Sequence, residues 1–446
     1  MIGTPPQGAI TQRVRRGLRA LPLQFWLLAA GSFVFLAAMG LAFPYTSMFI
    51  RERLGVSMGI VGLIMGGSAL AGLPLQLAGG HVSDRFGRRP VLATAVIATA
   101  TMYVGLAFAT HLWQVVLLVF CERAFGWPMF LASSNAMVAD LVRLRRRPEA
   151  YGVLRFAIMS GVVAGPALAG LALAAGASLP QLFAAAGVAC FLFLVPMLAF
   201  LRETHPEHRS EALADAVAVA AAGATGDVAT GLRAGTAASP ASAAGYRAVF
   251  RDRRFLLFCA VALLPLFCLG QLYTTFPVVA TTQLGLPPSA WGLLIAVYAI
   301  MVATLQLPLV RLTRRRSAMV RLGVASACFG IGLGGAAFAA PGWQLVALLG
   351  VLAVGDVLLS PVSSSVVTEM APVELRGRYV SVWTLVWMFG LSLGPTLGGL
   401  LMDALGGRGL FGLVLAAGLL GAVAFPLLRG RRRSPPVLAF RHAKRG

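Results

Sequence analysis

From residue 22 onward the sequence keeps returning to stretches of some twenty residues that are almost wholly apolar, and that recurrence excludes most of what a chain can be. A helix rising about 1.5 Å per residue needs about 20 apolar residues to cross about 30 Å of hydrocarbon, where every backbone N–H and C=O must find its partner within the segment. Twelve such runs can be placed, at 22–44, 57–79, 90–109, 113–141, 150–175, 180–201, 255–279, 289–310, 318–340, 343–367, 378–403 and 409–428. Composition agrees, with 58% apolar and only 12% charged residues in 446. An ordinary soluble domain carries about 25% charged residues. Soluble enzymes are set aside on this ground, and an all-α integral membrane protein is expected. The first run is too long for the apolar region of a cleaved leader, so it is expected to stay as an anchor.

The formal net charge of +22 would point to nucleic acid in a soluble protein. Here its placement points to lipid. Arginines gather at the N-terminus (Arg13, Arg15, Arg16, Arg19) and in alternate loops (Arg85, Arg88, Arg89; Arg143, Arg145, Arg146, Arg147; Arg311, Arg314, Arg315, Arg316), whereas the intervening loops hold only Arg51, Arg53 and Arg408. Basic loops stay in the cytoplasm and face anionic lipid. Both termini are therefore expected to be cytoplasmic, in the inner membrane of a bacterium, with no nucleic-acid partner and a single chain as the working unit.

Ordinary catalytic and energising machinery has no foothold in the sequence. The five cysteines, Cys121, Cys190, Cys259, Cys268 and Cys328, lie in apolar runs without C-x-x-C spacing and read as small buried hydrophobes. Lys444, the one lysine, has no preceding glycine pattern that could make a phosphate-binding loop. Every histidine falls outside the apolar runs. Neither an enzyme nor a metal or cofactor site is expected.

Residues 202–254 break the apolar pattern with Ala, Gly, Ser and Thr, as in GTAASPASAAG, and read as a flexible cytoplasmic linker. The chain then divides into a tail (1–21), a six-run half (22–201), the linker, a second six-run half (255–428) and a basic tail (429–446). The halves repeat one another at an offset of 229: Gly161-Val-Val-Ala-Gly165-Pro166-Ala-Leu168-Ala-Gly170-Leu171 aligns with Gly390-Leu-Ser-Leu-Gly394-Pro395-Thr-Leu397-Gly-Gly399-Leu400, identical at six of eleven positions. Parallel six-span repeats that rock about a shared site are one architecture of secondary transporters.

Between the second and third runs stands Gly80-His-Val-Ser-Asp84-Arg85-Phe-Gly87-Arg88-Arg89-Pro90. Gly87 and Pro90 suit a tight turn into a helix, and the arginines suit anionic lipid. Asp84 gains nothing from lipid and calls for a cation or a helix N-terminus. The run resembles the signature loop of the major facilitator superfamily, and the resemblance implies a fold of twelve transmembrane helices in two pseudo-symmetric bundles. It also implies a conformational latch: Asp84 docking at the start of the eleventh helix, near Gly377, and Arg88 pairing with Asp140. The Gly-Pro runs (Gly161, Gly165, Pro166, Gly170; Gly390, Gly394, Pro395, Gly399) are similar to the pattern of the superfamily's drug:proton antiporters. By physics alone they are small-residue surfaces for close helix packing, kinked at proline.

Charge inside a crossing costs roughly 2.5–3.5 kcal/mol on insertion scales and usually marks function. Asp356 lies midway along the tenth run, and Glu122 and Arg123 lie in the fourth, roughly 100° apart on a helix. Asp356 and Glu122 are the alternative proton-coupling acids, with Arg123 as a partner for Asp356 across the halves. Arg155 can snorkel to the interface. Trp127, Gln271, Tyr273, Tyr298, Gln306, Trp383 and Trp387 could line a cavity or serve as helix packing and interface belts. The resulting expectation is export of a small amphipathic or hydrophobic compound in exchange for protons. A proton-independent facilitator or importer of the same fold, and a non-transporting membrane scaffold, are its rivals; a carrier of sugars or organic anions is disfavoured by the shortage of polar and cationic groups.

Overall fold

The computed structural model describes residues 21–202, 204, 241–339 and 342–428, and of residues 76–81, 84 and 241–245 it describes the backbone alone. Both terminal tails and most of the linker thus lie outside the described residues. The first half contains α1 (Leu23–Ala42), α2 (Thr46–Leu54), α3 (Met58–Gly62), α4 (Ser68–Phe86), α5 (Arg88–Phe108), α6 (Leu112–Phe125), α7 (Trp127–Leu141), α8 (Arg147–Ala174) and α9 (Leu179–Phe200). The second contains α10 (Ala241–Arg251), α11 (Arg253–Gln271), α12 (Phe276–Thr282), α13 (Pro288–Thr313), α14 (Ala318–Phe329), α15 (Trp343–Met370) and α16 (Arg376–Leu427). Among the described residues, ten helical stretches are long and apolar enough to cross a membrane, and Ala318–Gly334 is a shorter apolar helix. The longest stretch, Val373–Leu427, contains Gly406 at φ 72°, ψ 172°, a backbone state that interrupts the helix between the eleventh and twelfth apolar runs.

The breaks follow from residue chemistry. The fourth apolar run divides at Gly126, whose φ of −82° and ψ of −112° end α6, while Pro128 at the second position of α7 has no N–H to bond back. The basic signature run forms no extended loop. Helix α4 continues through Asp84 to Phe86, and Gly87 alone, at φ 94°, separates it from α5. Only glycine adopts that conformation without strain. Residues 241–251, assigned to the linker by composition, include α10, and Asp252 then caps α11 by accepting from the N–H groups of Arg254 (3.0 Å) and Phe255 (3.1 Å).

Within the halves α1 packs along α8, α5 along α9, and α11 along α16; across them α8 meets α13 and α3 meets α16. Glycine sets the separation at each joint. A Cβ placed on Gly165 would stand 2.7 Å from the Cα of Gly40, and one on Gly394 2.6 Å from the Cα of Gly270. The sequence repeat is thus a repeat of contacts, with α8 against α1 in one half and α16 against α11 in the other. The far ends of the same glycine runs join the halves: a Cβ on Gly170 would meet the carbonyl oxygen of Ser289 at 2.7 Å, and one on Gly399 that of Met58 at 2.2 Å.

Overpacked contacts of this kind cost about 1–3 kcal/mol. Gly394→Ala is therefore expected to lower the thermal midpoint of the purified protein in detergent, whereas Gly412→Ala, where nothing lies within 4 Å of the new methyl, is expected to leave it unchanged or raise it.

Candidate functional site

Between the halves, on the side of the joint nearer the arginine-rich ends, lies a cavity of about 480 Å³. From the first half α1 contributes Met39 and Gly40, the α6–α7 break contributes Arg123 and Trp127, and α8 contributes Arg155, Met159 and Pro166; the second half supplies Tyr273, Tyr298, Asp356 and Ser392. A second chamber of about 280 Å³ shares Arg155, Met159, Tyr273, Tyr298 and Asp356, and adds Gln306 and Ser360. Its walls come from α8, α13 and α15.

Asp356 accepts a hydrogen bond of 2.9 Å from the Tyr298 hydroxyl. This bond ties α13 to α15 and gives the carboxylate one neutral donor, with the rest of its surface toward the cavity. Arg123 lines the same cavity from the other half. Its guanidinium lies 3.7 Å from the Glu122 carboxylate and stacks over the Phe43 ring at 5.4 Å, and Phe43 in turn meets Tyr273 at 5.4 Å. A ring-and-cation bridge therefore links the halves beside Asp356.

Glu122 and Arg123 do point apart, since the Glu122 side chain is only 3% exposed and that of Arg123 21%. Their length lets them meet even so. Glu122 sits behind the cavity at the helix break: its Oε1 accepts from the backbone N–H of Trp127 at 3.4 Å, at the start of α7, where the helix dipole favours negative charge. The geometry gives this acid a local role as cap and counter-charge, while Asp356 faces the void.

The remaining residues separate into two groups. Trp127, Tyr273, Tyr298 and Gln306 line the two chambers. Gln271, Trp383 and Trp387 do not line them and belong to packing. The Gln271 side chain donates to the carbonyls of Phe267 (3.0 Å) and Gly394 (2.9 Å) and accepts from Thr275 (2.8 Å), so it is spent on the α11–α16 joint. Trp383 packs against Phe258 and edge-on to Trp387. Amphipathic side chains in membrane helices carry no sequence mark that tells a cavity from a helix joint.

At the signature run, Arg88 reaches Asp140 at 3.4 Å and donates to Ser83 at 3.1 Å, and the Thr204 hydroxyl also donates to Asp140. Arg85 stacks on Phe86, and Arg89 donates to the Leu198 carbonyl on α9. Gly80 and Asp84 lie in helical backbone, but their side chains are outside the described ones.

Two features were not read from the sequence. Arg155 faces both chambers instead of an interface. Asp403, on α16, reaches across to the start of α3, accepting from the backbone N–H of Met58 (3.0 Å) and Gly59 (2.7 Å). At another joint between the halves the Trp291 indole N–H donates to the Pro44 carbonyl at 3.1 Å. The argument applied to Asp84, an acid with nothing to gain from lipid, applies equally to Asp403 and would have singled it out.

The sequence profile of the Major Facilitator Superfamily matches residues 28–355 and 273–444. The MFS-type transporter YhjO of Bacillus subtilis (strain 168) is 26% identical over 368 residues, covering 82% of this chain and 84% of that protein. The multidrug resistance protein MdtH of Cronobacter sakazakii is 26% identical over 384 residues, covering 85% and 86%. The crystal structure of the nucleoside transporter NupG superposes with a TM-score of 0.71 at 13% identity, covering 92% of this chain and 100% of that one, a likeness of fold. The span of the match, the helical architecture and the cavity between two similar halves agree: the chain belongs to the Major Facilitator Superfamily and is a multi-pass membrane transporter of small molecules, not an enzyme.

Proposed function

We propose that the protein is a proton-coupled exporter of small amphipathic or hydrophobic compounds, of the drug:proton antiporter type, built from twelve crossings and working as a monomer in a bacterial cytoplasmic membrane with both termini inside. The observation that carries this reading is Asp356, a lone carboxylate on a largely apolar cavity between the halves, held by one tyrosine hydroxyl. An ionised acid at that depth is costly to enclose, and protonation removes the cost. The cavity can then occlude and turn only when Asp356 carries a proton or its charge is otherwise answered, and proton and substrate compete for the same space. A proton entering down about 100 mV releases about 2.3 kcal/mol, enough to drive concentrative export. The multidrug-resistance name of one relative and the paired Gly-Pro runs support export over uptake.

The bonds from Asp403 and Trp291 join the halves at the end opposite the arginine-rich loops, and on this reading they close the outer side. The second and eleventh crossings run antiparallel, so each begins beside the other's end. Asp403 at the end of the eleventh holds the start of the second; in the opposite state Asp84, at the end of the second, would hold the start of the eleventh. The protein alternates between these two acid-to-helix locks.

Two measurements test this. In liposomes with an imposed pH gradient, Asp356→Asn is expected to reduce proton-linked movement of a cationic or neutral dye at least tenfold, the order of effect of losing an essential proton-transfer group, while membrane insertion persists. Full coupling in Asp356→Asn would remove the assignment, and gradient-independent movement by the wild type would identify a facilitator. Separately, Asp403→Asn weakens two charge-assisted bonds of about 1.5–3 kcal/mol each. A cysteine placed at Met65 in a cysteine-free background is expected to react faster with an impermeant reagent added outside; an unchanged rate would discard the outer lock.

A further inference from the structure

Arg155 is the charged group on the cavity that the transport cycle described above leaves without a task. It shares one face of α8 with Met159, Val162 and Pro166, at spacings of four, seven and eleven residues, and all four line the central cavity. Eight residues separate it from the start of α8 at Arg147, about 12 Å along the axis. A guanidinium this far into a crossing would be expected to bend back to the interface. Instead it borders both chambers.

The other charges on the central cavity are engaged. Arg123 is beside Glu122 and over Phe43, and Asp356 accepts from Tyr298. Arg155 makes no ion pair or hydrogen bond among the described residues. Two cations and one acid thus line a space whose remaining walls are mostly apolar, among them Met159, Val162, Met65 and Leu269, with Tyr273, Thr274, Tyr298 and Ser392 as polar exceptions. The sequence disfavoured organic anions for want of polar and cationic groups, and the fold places Arg155 on the cavity beside Arg123.

We propose that Arg155 recognises an oxyanion on the transported molecule, so that the compounds taken by this cavity include amphiphiles with a carboxylate on an apolar body. The planar guanidinium fork matches a carboxylate with two parallel N–H···O bonds, which gives the pair its geometric selectivity. The apolar walls take the rest of the molecule. The assignment rests on the transport reading of this cavity but not on the direction of transport or on protons.

The test compares dansylglycine with its methyl ester, which differ in one charge. Binding to the full-length protein in lipid nanodiscs, without any gradient, is read by energy transfer from tryptophan to the dansyl group. The wild type is expected to bind the acid about tenfold more tightly than the ester, Arg155→Ala to bring the two affinities together, and Arg155→Lys to restore only part of the preference, since an ammonium keeps the charge without the fork. Equal affinity for acid and ester in the wild type, absence of acid binding, or an unaltered preference in Arg155→Ala would each overturn the proposal. The wild-type comparison stands even if the alanine variant fails to fold. Proton-driven movement of a cationic dye without acid preference would refute the role of Arg155 and leave the exporter reading intact. Acid preference without proton-driven movement of either probe would do the reverse.

Discussion

Backbone against backbone is the contact on which the structure depends. In lipid there is no hydrophobic drive to bring two apolar helices together, so they associate through close packing and a few hydrogen bonds. At Gly40 and Gly165, and again at Gly270 and Gly394, the helices approach so closely that a single methyl would collide. The same glycine runs continue into the joint between the halves at Gly170 and Gly399. One surface therefore fixes the shape of each half and also meets the other half. The contacts between the halves are made by shape and carry no fixed charge, which is compatible with the alternation proposed above.

Charge plays the complementary part. Each acid at the centre or rim of the fold has a different kind of partner: Glu122 has an arginine and a helix start, Asp140 an arginine, Asp403 the N–H groups of the opposite half, and Asp356 a neutral tyrosine. The gradation is chemically informative. Acids met by a cation or by the N–H groups of a helix start tie one element to another. Asp356 is met by a hydroxyl alone and lines the cavity between the halves, which is why the proposed proton role falls to it.

Much of this was legible before the fold was known, because it depends on periodicity and placement. The apolar runs located the crossings, and the repeat at offset 229 located the matching joints of the two halves. The position of Asp356 midway along a run marked it as costly. What could not be read was orientation. Glu122 and Arg123 are neighbours on one helix, and their angular separation of roughly 100° could be read from the sequence, but not which of the two meets the cavity. Gln271 and Tyr273 lie two residues apart, yet one is consumed by a helix joint and the other lines the site. Arg155 looked like an interface anchor because depth along a helix is visible in a sequence and the direction a side chain takes is not.

The chain's own residues thus determine that it spans a membrane, in two related halves, with its basic loops gathered at one end and a few acids at a cost within. These properties are local, set by the length of an apolar run and by where the arginines fall. The fold alone decided which of those acids and arginines share a cavity, that Asp403 meets the start of α3 some 345 residues away, and that Arg155 faces the void. Such relations arise when distant helices pack at angles set by their glycines, and no spacing within a single helix encodes them.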